Sequence, residues 1–107
     1  MIPSGLAAGA GALWVVGTGF LARFDPETRR VVAAFRVGHG VGTDADLVAG
    51  DERMVVARGG KVLYLIDPAA NRVRAEVPLP SAGAVAVGAG AIWVTDQAHG
   101  RLLRVEG

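Results

Sequence analysis

Cysteine is absent from the 107 residues, which excludes disulfides and thiolate metal centres and leaves the redox compartment open. Aromatic side chains are scarce, at three Phe, two Trp and one Tyr, too few for an aromatic-rich core. Neither sign of charge dominates: 11 Lys and Arg against 10 Asp and Glu leave a net charge of +1, scattered along the chain. That balance gives no electrostatic footprint for nucleic acid and none for an anionic membrane, so neither is expected as a partner. Met1 to Ala22 carries no charged residue, yet a secretory signal or a membrane span is not the reading. No basic segment precedes the apolar run, glycines interrupt it, and its central octapeptide recurs far downstream.

What the chain does have is glycine, 16 residues of it, and apolar side chains at 51%. The length suits one domain with a small core. Its organising feature is Gly-Ala-Gly-Ala-Leu-Trp-Val-Val from Gly9 to Val16, which returns as Gly-Ala-Gly-Ala-Ile-Trp-Val-Thr from Gly88 to Thr95. A degraded copy runs from Gly50 to Ala57, and in that alignment Val55 takes the tryptophan position. Copies about 40 residues apart indicate a repeat architecture.

Turn chemistry punctuates each unit. In the first, Leu6-Ala7-Ala8, Leu13 to Val16, Leu21 to Phe24 and Val31 to Val37 read as strands separated by Gly9-Ala10-Gly11, Gly17-Thr18-Gly19 and Asp25-Pro26-Glu27-Thr28. Glycine supplies positive φ in the first two connections, and proline with an aspartate acceptor sets the third. The second unit repeats the order in Asp46 to Ala49, Met54 to Ala57, Val62 to Ile66 and Val73 to Leu79, with Asp67-Pro68 answering Asp25-Pro26. The third has Ala84 to Val87, Ala91 to Thr95 and Arg101 to Val105, then ends.

The expected fold is all-β: an incomplete β-propeller with two four-stranded antiparallel blades, about residues 2–38 and 44–80, and a third at 82–107 lacking its outer strand. Ala7, Ala8, Ala84 and Ala86 are expected where innermost strands converge on an axis. Trp14 and Trp93 are expected to fill the wedge between neighbouring blades.

Pro3-Ser4-Gly5-Leu6-Ala7, Gly88 to Thr95 and Leu103-Arg104-Val105-Glu106 resemble the bacterial YVTN/NHL-type propeller repeats related to YncE and to virginiamycin B lyases. The resemblance covers nearly the whole chain and is specific for the fold. Such repeats occur in lyases, in secreted or periplasmic binding proteins and in sensor modules, so it implies no single activity or compartment. The Asp-Pro-x-Thr-Gly turn typical of such blades lacks its glycine here, with Arg29 in that place.

Fewer than three complete blades cannot close a ring of roughly four to eight. Exposed faces and the unpaired edge at Arg101 to Val105 therefore predict association, either with further copies of the chain or with the rest of a longer propeller.

Val15 to Ala22 matches a dinucleotide fingerprint, but a helix starting at Gly19 would meet Pro26 within two turns. No acidic residue follows at the right distance, so a hairpin loop is the expectation. Loop geometry instead gathers His39, Asp44, Asp46, Asp96, Gln97 and His99 on one rim. These types suit a small ligand or protein partner, or a divalent cation such as Mg²⁺ or Ca²⁺; as turn formers they equally suit plain solvated loops. Arg29, Arg30, Arg53 and Arg72 fringe the opposite rim. Two functions follow: a non-catalytic scaffold that needs no cofactor, or, as the resemblance implies, part of a metal-dependent lyase or lactone hydrolase.

Overall fold

The computed structural model describes residues 3–17, 19–38 and 45–106. Its described elements are all strands: β1 (Gly5–Gly9), β2 (Ala12–Gly17), β3 (Phe20–Asp25), β4 (Arg30–Arg36), β5 (Leu47–Gly50), β6 (Val55–Gly59), β7 (Val62–Asp67), β8 (Arg72–Pro78), β9 (Ala82–Gly88), β10 (Ala91–Asp96) and β11 (Arg101–Val105). They form sheets of four, four and three strands, in orders β1-β2-β3-β4, β5-β6-β7-β8 and β9-β10-β11. Every pairing is antiparallel between chain neighbours, and none of the sheets closes on itself. This is the expected blade series, with the third lacking its outer strand.

The first two sheets superimpose in sequence with an offset of 42 throughout. Leu13 pairs Phe24 as Val55 pairs Ile66, and Trp14 pairs Ala7 and Arg23 as Val56 pairs Ala49 and Leu65. The tryptophan position of the second sheet is therefore Val56, which corrects the assignment to Val55. The octapeptide alignment slips by one because the β5–β6 connection is built differently. Asp51 Oδ1 accepts the backbone N–H groups of Arg53 and Met54 at 2.9 and 2.8 Å, and no glycine is needed. Both sheets also carry an extra residue at the same place in the outer strand, Val32 and Arg74, where the register shifts. A bulge repeated at one position re-aims the outer strand in each blade.

Alternation along each strand presents apolar groups on both faces, so each sheet needs a neighbour on either side. The first seam joins Trp14, Val16 and Leu21 of the first sheet to Val55, Tyr64 and Ile66 of the second. The second joins Val56, Leu63 and Leu65 to Ile92 and Val94. Trp14 is fully buried and its Nε1–H donates to the Gly9 carbonyl at 2.8 Å. Burial of 150–250 Å² of indole contributes about 4–6 kcal/mol at 25 cal/mol per Å². Trp93 makes the same bond to the Gly88 carbonyl at 3.0 Å but is only half-buried.

The inner strands lie against one another, β1 on β5 and β5 on β9. Ala7 packs against the first seam, whereas Ala8, Ala84 and Ala86 are exposed on the open faces of the end sheets. The close approach is made by glycines: a Cβ on Gly9 would lie 2.9 Å from Val55 Cγ2 and 3.2 Å from Gly50 Cα.

Among the described residues, four non-glycine residues have positive φ, and they fall in repeat-related pairs: Ala10 and Ala89 at 48° and 51°, Arg29 and Asn71 at 61° and 54°. Ala10-Gly11 and Ala89-Gly90 are two-residue hairpin turns with positive φ at both positions, a geometry that favours Asn-Gly. Arg29 adopts a left-handed conformation that glycine enters more readily. We expect Arg29→Gly and Ala89→Asn each to raise the unfolding free energy by about 0.5–1 kcal/mol, measured by urea unfolding. Asn71→Gly should give no gain, because it also removes the Oδ1 that accepts from Arg23 at 3.1 Å.

Candidate functional site

The rim expected from loop positions is the end of the sheets that holds the β6–β7 and β10–β11 connections. Among the residues nominated for it, His39 and Asp44 lie outside the described residues. Asp46 precedes β5, with its N–H bonded to the Arg58 carbonyl at 2.9 Å and its carboxylate 3.5 Å from Arg58 Nη2. Asp96, Gln97 and His99 cluster at the other hairpin.

That cluster begins with a bulge in β9. Val94 pairs Val85 and Asp96 pairs Ala82, leaving one surplus residue in β9. The Ala84 N–H freed by the bulge donates to Thr95 Oγ1 at 2.8 Å. Gly83 beside it leaves room for these side chains: a Cβ there would lie 2.7 Å from Thr95 Oγ1 and 2.8 Å from the Gln97 side chain, so one of them would have to move. The local register carries Asp96 inward, to a side-chain exposure of 6%. The Gln97 N–H is tied to the Ser81 carbonyl at 3.0 Å.

The Asp96 carboxylate is fully engaged. Arg101 Nε donates to Oδ2 at 2.8 Å, the His99 N–H to Oδ1 at 3.3 Å, and His99 Nδ1 lies 3.0 and 3.2 Å from the two oxygens. A carboxylate only accepts, so Nδ1 carries the proton in this pair. The Arg101 guanidinium holds the carboxyl well below the usual range; burial opposes the shift, and hydrogen bonds from Ser81 and His99 add to it. A hollow of about 220 Å³ adjoins the group, lined by Leu79, Pro80, Ser81, Asp96, His99 and Arg101.

The structure thus brings Asp96 and His99 into contact, sets Gln97 beside them, and leaves Asp46 in a separate pair with Arg58. Among the described residues, no group of three or more His, Cys, Asp or Glu side chains is placed to hold a metal ion. Sequence reasoning missed Ser81 and Arg101. Arg101 was accessible in principle, since a four-residue turn between Asp96 and Arg101 makes the two direct cross-strand partners. Ser81 comes from the link between sheets and has no such local signal. Arg58 Nε, near the rim, is buried without a hydrogen-bond partner.

Fold and rim together define an open, partial β-propeller. No family model matches the chain, and no curated protein does. Solved structures do match, and they are propeller proteins. The chain is similar to Kuenenia stuttgartiensis hydrazine synthase, with a TM-score of 0.67 and 12% identity over 95% of this chain and 34% of that one. It is also similar to U3-55K, with a TM-score of 0.70 and 9% identity over 98% and 39% of the two chains. Myxococcus xanthus glutaminyl cyclase gives 0.68 and 14% identity over 97% and 51%. At these identities the likeness shows the fold alone. The chain spans between about a third and a half of their lengths.

A carboxyl whose folded pKa is depressed stabilises the fold above its unfolded value, about 3.9, and loses that contribution as pH falls toward the folded one. Asp51 acts in the same direction, through the Met54 and Arg53 amides. The thermal midpoint should therefore hold steady from pH 7 to about 5 and fall progressively below about 4. Asp96→Asn should start lower at pH 7 and lose less on acidification; a variant as acid-sensitive as the parent contradicts the assignment.

Proposed function

We propose that this chain is a non-catalytic propeller segment that presents the Gln97–His99 rim and its adjoining hollow to a small ligand or a protein partner. The reading rests on the occupancy of Asp96. A carboxylate that already accepts from Arg101, Ser81 and His99 acts as a structural cap for the β10–β11 turn. What faces outward is the His99 ring, whose side chain is 64% exposed, with Gln97 beside it. Loops carried on a rigid sheet are a common place for recognition.

A metal-dependent lyase or lactone hydrolase requires ligands free to converge on one ion. Asp46, 59% exposed and paired with Arg58, is the more available carboxylate, but it stands apart from Asp96. Calorimetric titration with Mg²⁺, Ca²⁺ and Mn²⁺, together with thermal melts, separates the readings. The scaffold reading expects no saturable heat and no rise in midpoint. Saturable binding that disappears in His99→Ala would instead support the lyase. Gln97→Ala should change stability by no more than about 0.5 kcal/mol, as exposed residues do, whereas His99→Ala removes a donor to the buried Asp96 carboxylate and should cost about 1–2 kcal/mol.

A further inference from the structure

The two end sheets each leave one face open, and those faces repeat, residue by residue, the faces buried inside the chain. The forward face of a sheet looks toward the next sheet in the chain, the backward face toward the preceding one. On the forward face of the first sheet, Trp14 and Leu21 are fully buried against the second. Their counterparts on the third sheet are Trp93 and Leu102, by strand register. Leu102 is 63% exposed, and Trp93 is half-buried. On the backward face, Leu6 is 65% exposed, whereas Val48, its counterpart on the second sheet, is 8% exposed within the first seam. Val31 is exposed in the same way, while its counterpart Val73 packs against the core.

Two further features of the forward face lack their purpose within one chain. Gly88 answers Gly9, yet a Cβ on Gly88 would meet nothing within 4 Å and its φ is not positive. Neither sterics nor backbone requires a glycine there until another inner strand lies against it. Arg104 stacks over Trp93 at 5.9 Å as Arg23 does over Trp14 at 5.2 Å. Arg23 continues into the next sheet, donating to the Pro68 carbonyl and to Asn71 Oδ1. Arg104 has the same stack without a following sheet. The first sheet offers the matching turn, Asp25-Pro26, 42 residues before Asp67-Pro68. In it Arg29 replaces Asn71 and Glu27 replaces Ala69, so the Pro26 carbonyl is retained and an acid is added beside the new cation. Ala8, which would face Gly88, is smaller than Val87, the residue at the corresponding place in the third sheet.

We infer that a second copy of this chain seats its backward face, at Leu6, Leu13, Val15 and Val31, on the forward face at Gly88, Trp93, Leu102 and Arg104. The contact is heterologous, and made twice it closes a ring of two chains. Two copies supply six sheets, within the four to eight that close a propeller. The inference deepens the scaffold reading by naming what completes it, and rests on that reading only for the propeller segment itself.

Sedimentation of the intact chain at about 1–100 µM, the range that separates weak from tight association, should give the mass of two chains. Leu102→Glu and Leu6→Glu alter side chains already exposed in the single chain, so each should keep the parent's far-ultraviolet circular dichroism and sediment as one chain. Mixed together, they should regain the two-chain mass, because one undamaged forward face then meets one undamaged backward face. Gly88→Ala should fold unchanged and dissociate at least tenfold more readily. A single-chain mass for the parent overturns the inference and assigns the faces to blades of a longer polypeptide. So does any larger assembly, or a mixture that stays dissociated. None of these outcomes bears on metal binding at the rim, which is read separately by calorimetry.

Discussion

A sheet that is apolar on both faces cannot stand alone in water. That constraint governs this molecule more than any single contact. The strands alternate, but their alternation sorts residues between two seams rather than between core and solvent, so burial is completed only by a neighbour on each side. Within the chain this happens twice, at Trp14 against Val55 and Tyr64, and at Val56 and Leu63 against Ile92 and Val94. The middle sheet, covered on both faces, holds the densest run of buried residues, from Val55 to Ala57 and from Leu63 to Ile66.

The polar features follow from that packing. Because the seams hold the sheets, the connections can depart from ideal turn sequences. Ala10, Arg29 and Ala89 adopt left-handed conformations that glycine or asparagine would enter more readily. The Asp96 cluster has the same origin. A bulge in β9 and the missing side chain of Gly83 let Thr95 and Gln97 close over the turn, and Asp96 is drawn inward, where only a charge-assisted partner such as Arg101 makes it tolerable. A carboxylate held in that manner organises a loop.

Much of the fold was legible in one sequence because its signals are local. Strand runs, the Gly-Ala-Gly turns and the two Asp-Pro turns all act within a few residues, and all eleven strands fall where those signals put them. Val55 was read as the tryptophan position because the octapeptide was aligned on Gly50, whereas Asp51 stands in the place of Gly9, and register is a property of the paired strand. Small residues suited the inner strands, and the closest approach there is at Gly9 and Gly50. For the rim, residue type and loop position put Asp96 and His99, which are in contact, in one group. They missed Ser81 and Arg101, whose roles depend on how a linker and a strand edge meet.

By itself, then, the sequence determined a run of antiparallel blades, their order and their turns, since periodicity, β-branching and turn chemistry are encoded residue by residue. Tertiary structure alone decided which face of each strand looks forward or backward, that Val56 and not Val55 succeeds Trp14, and that Asp96 is spent on its own hairpin. Those outcomes depend on distances between segments far apart in the chain, and such distances are set only when the sheets pack.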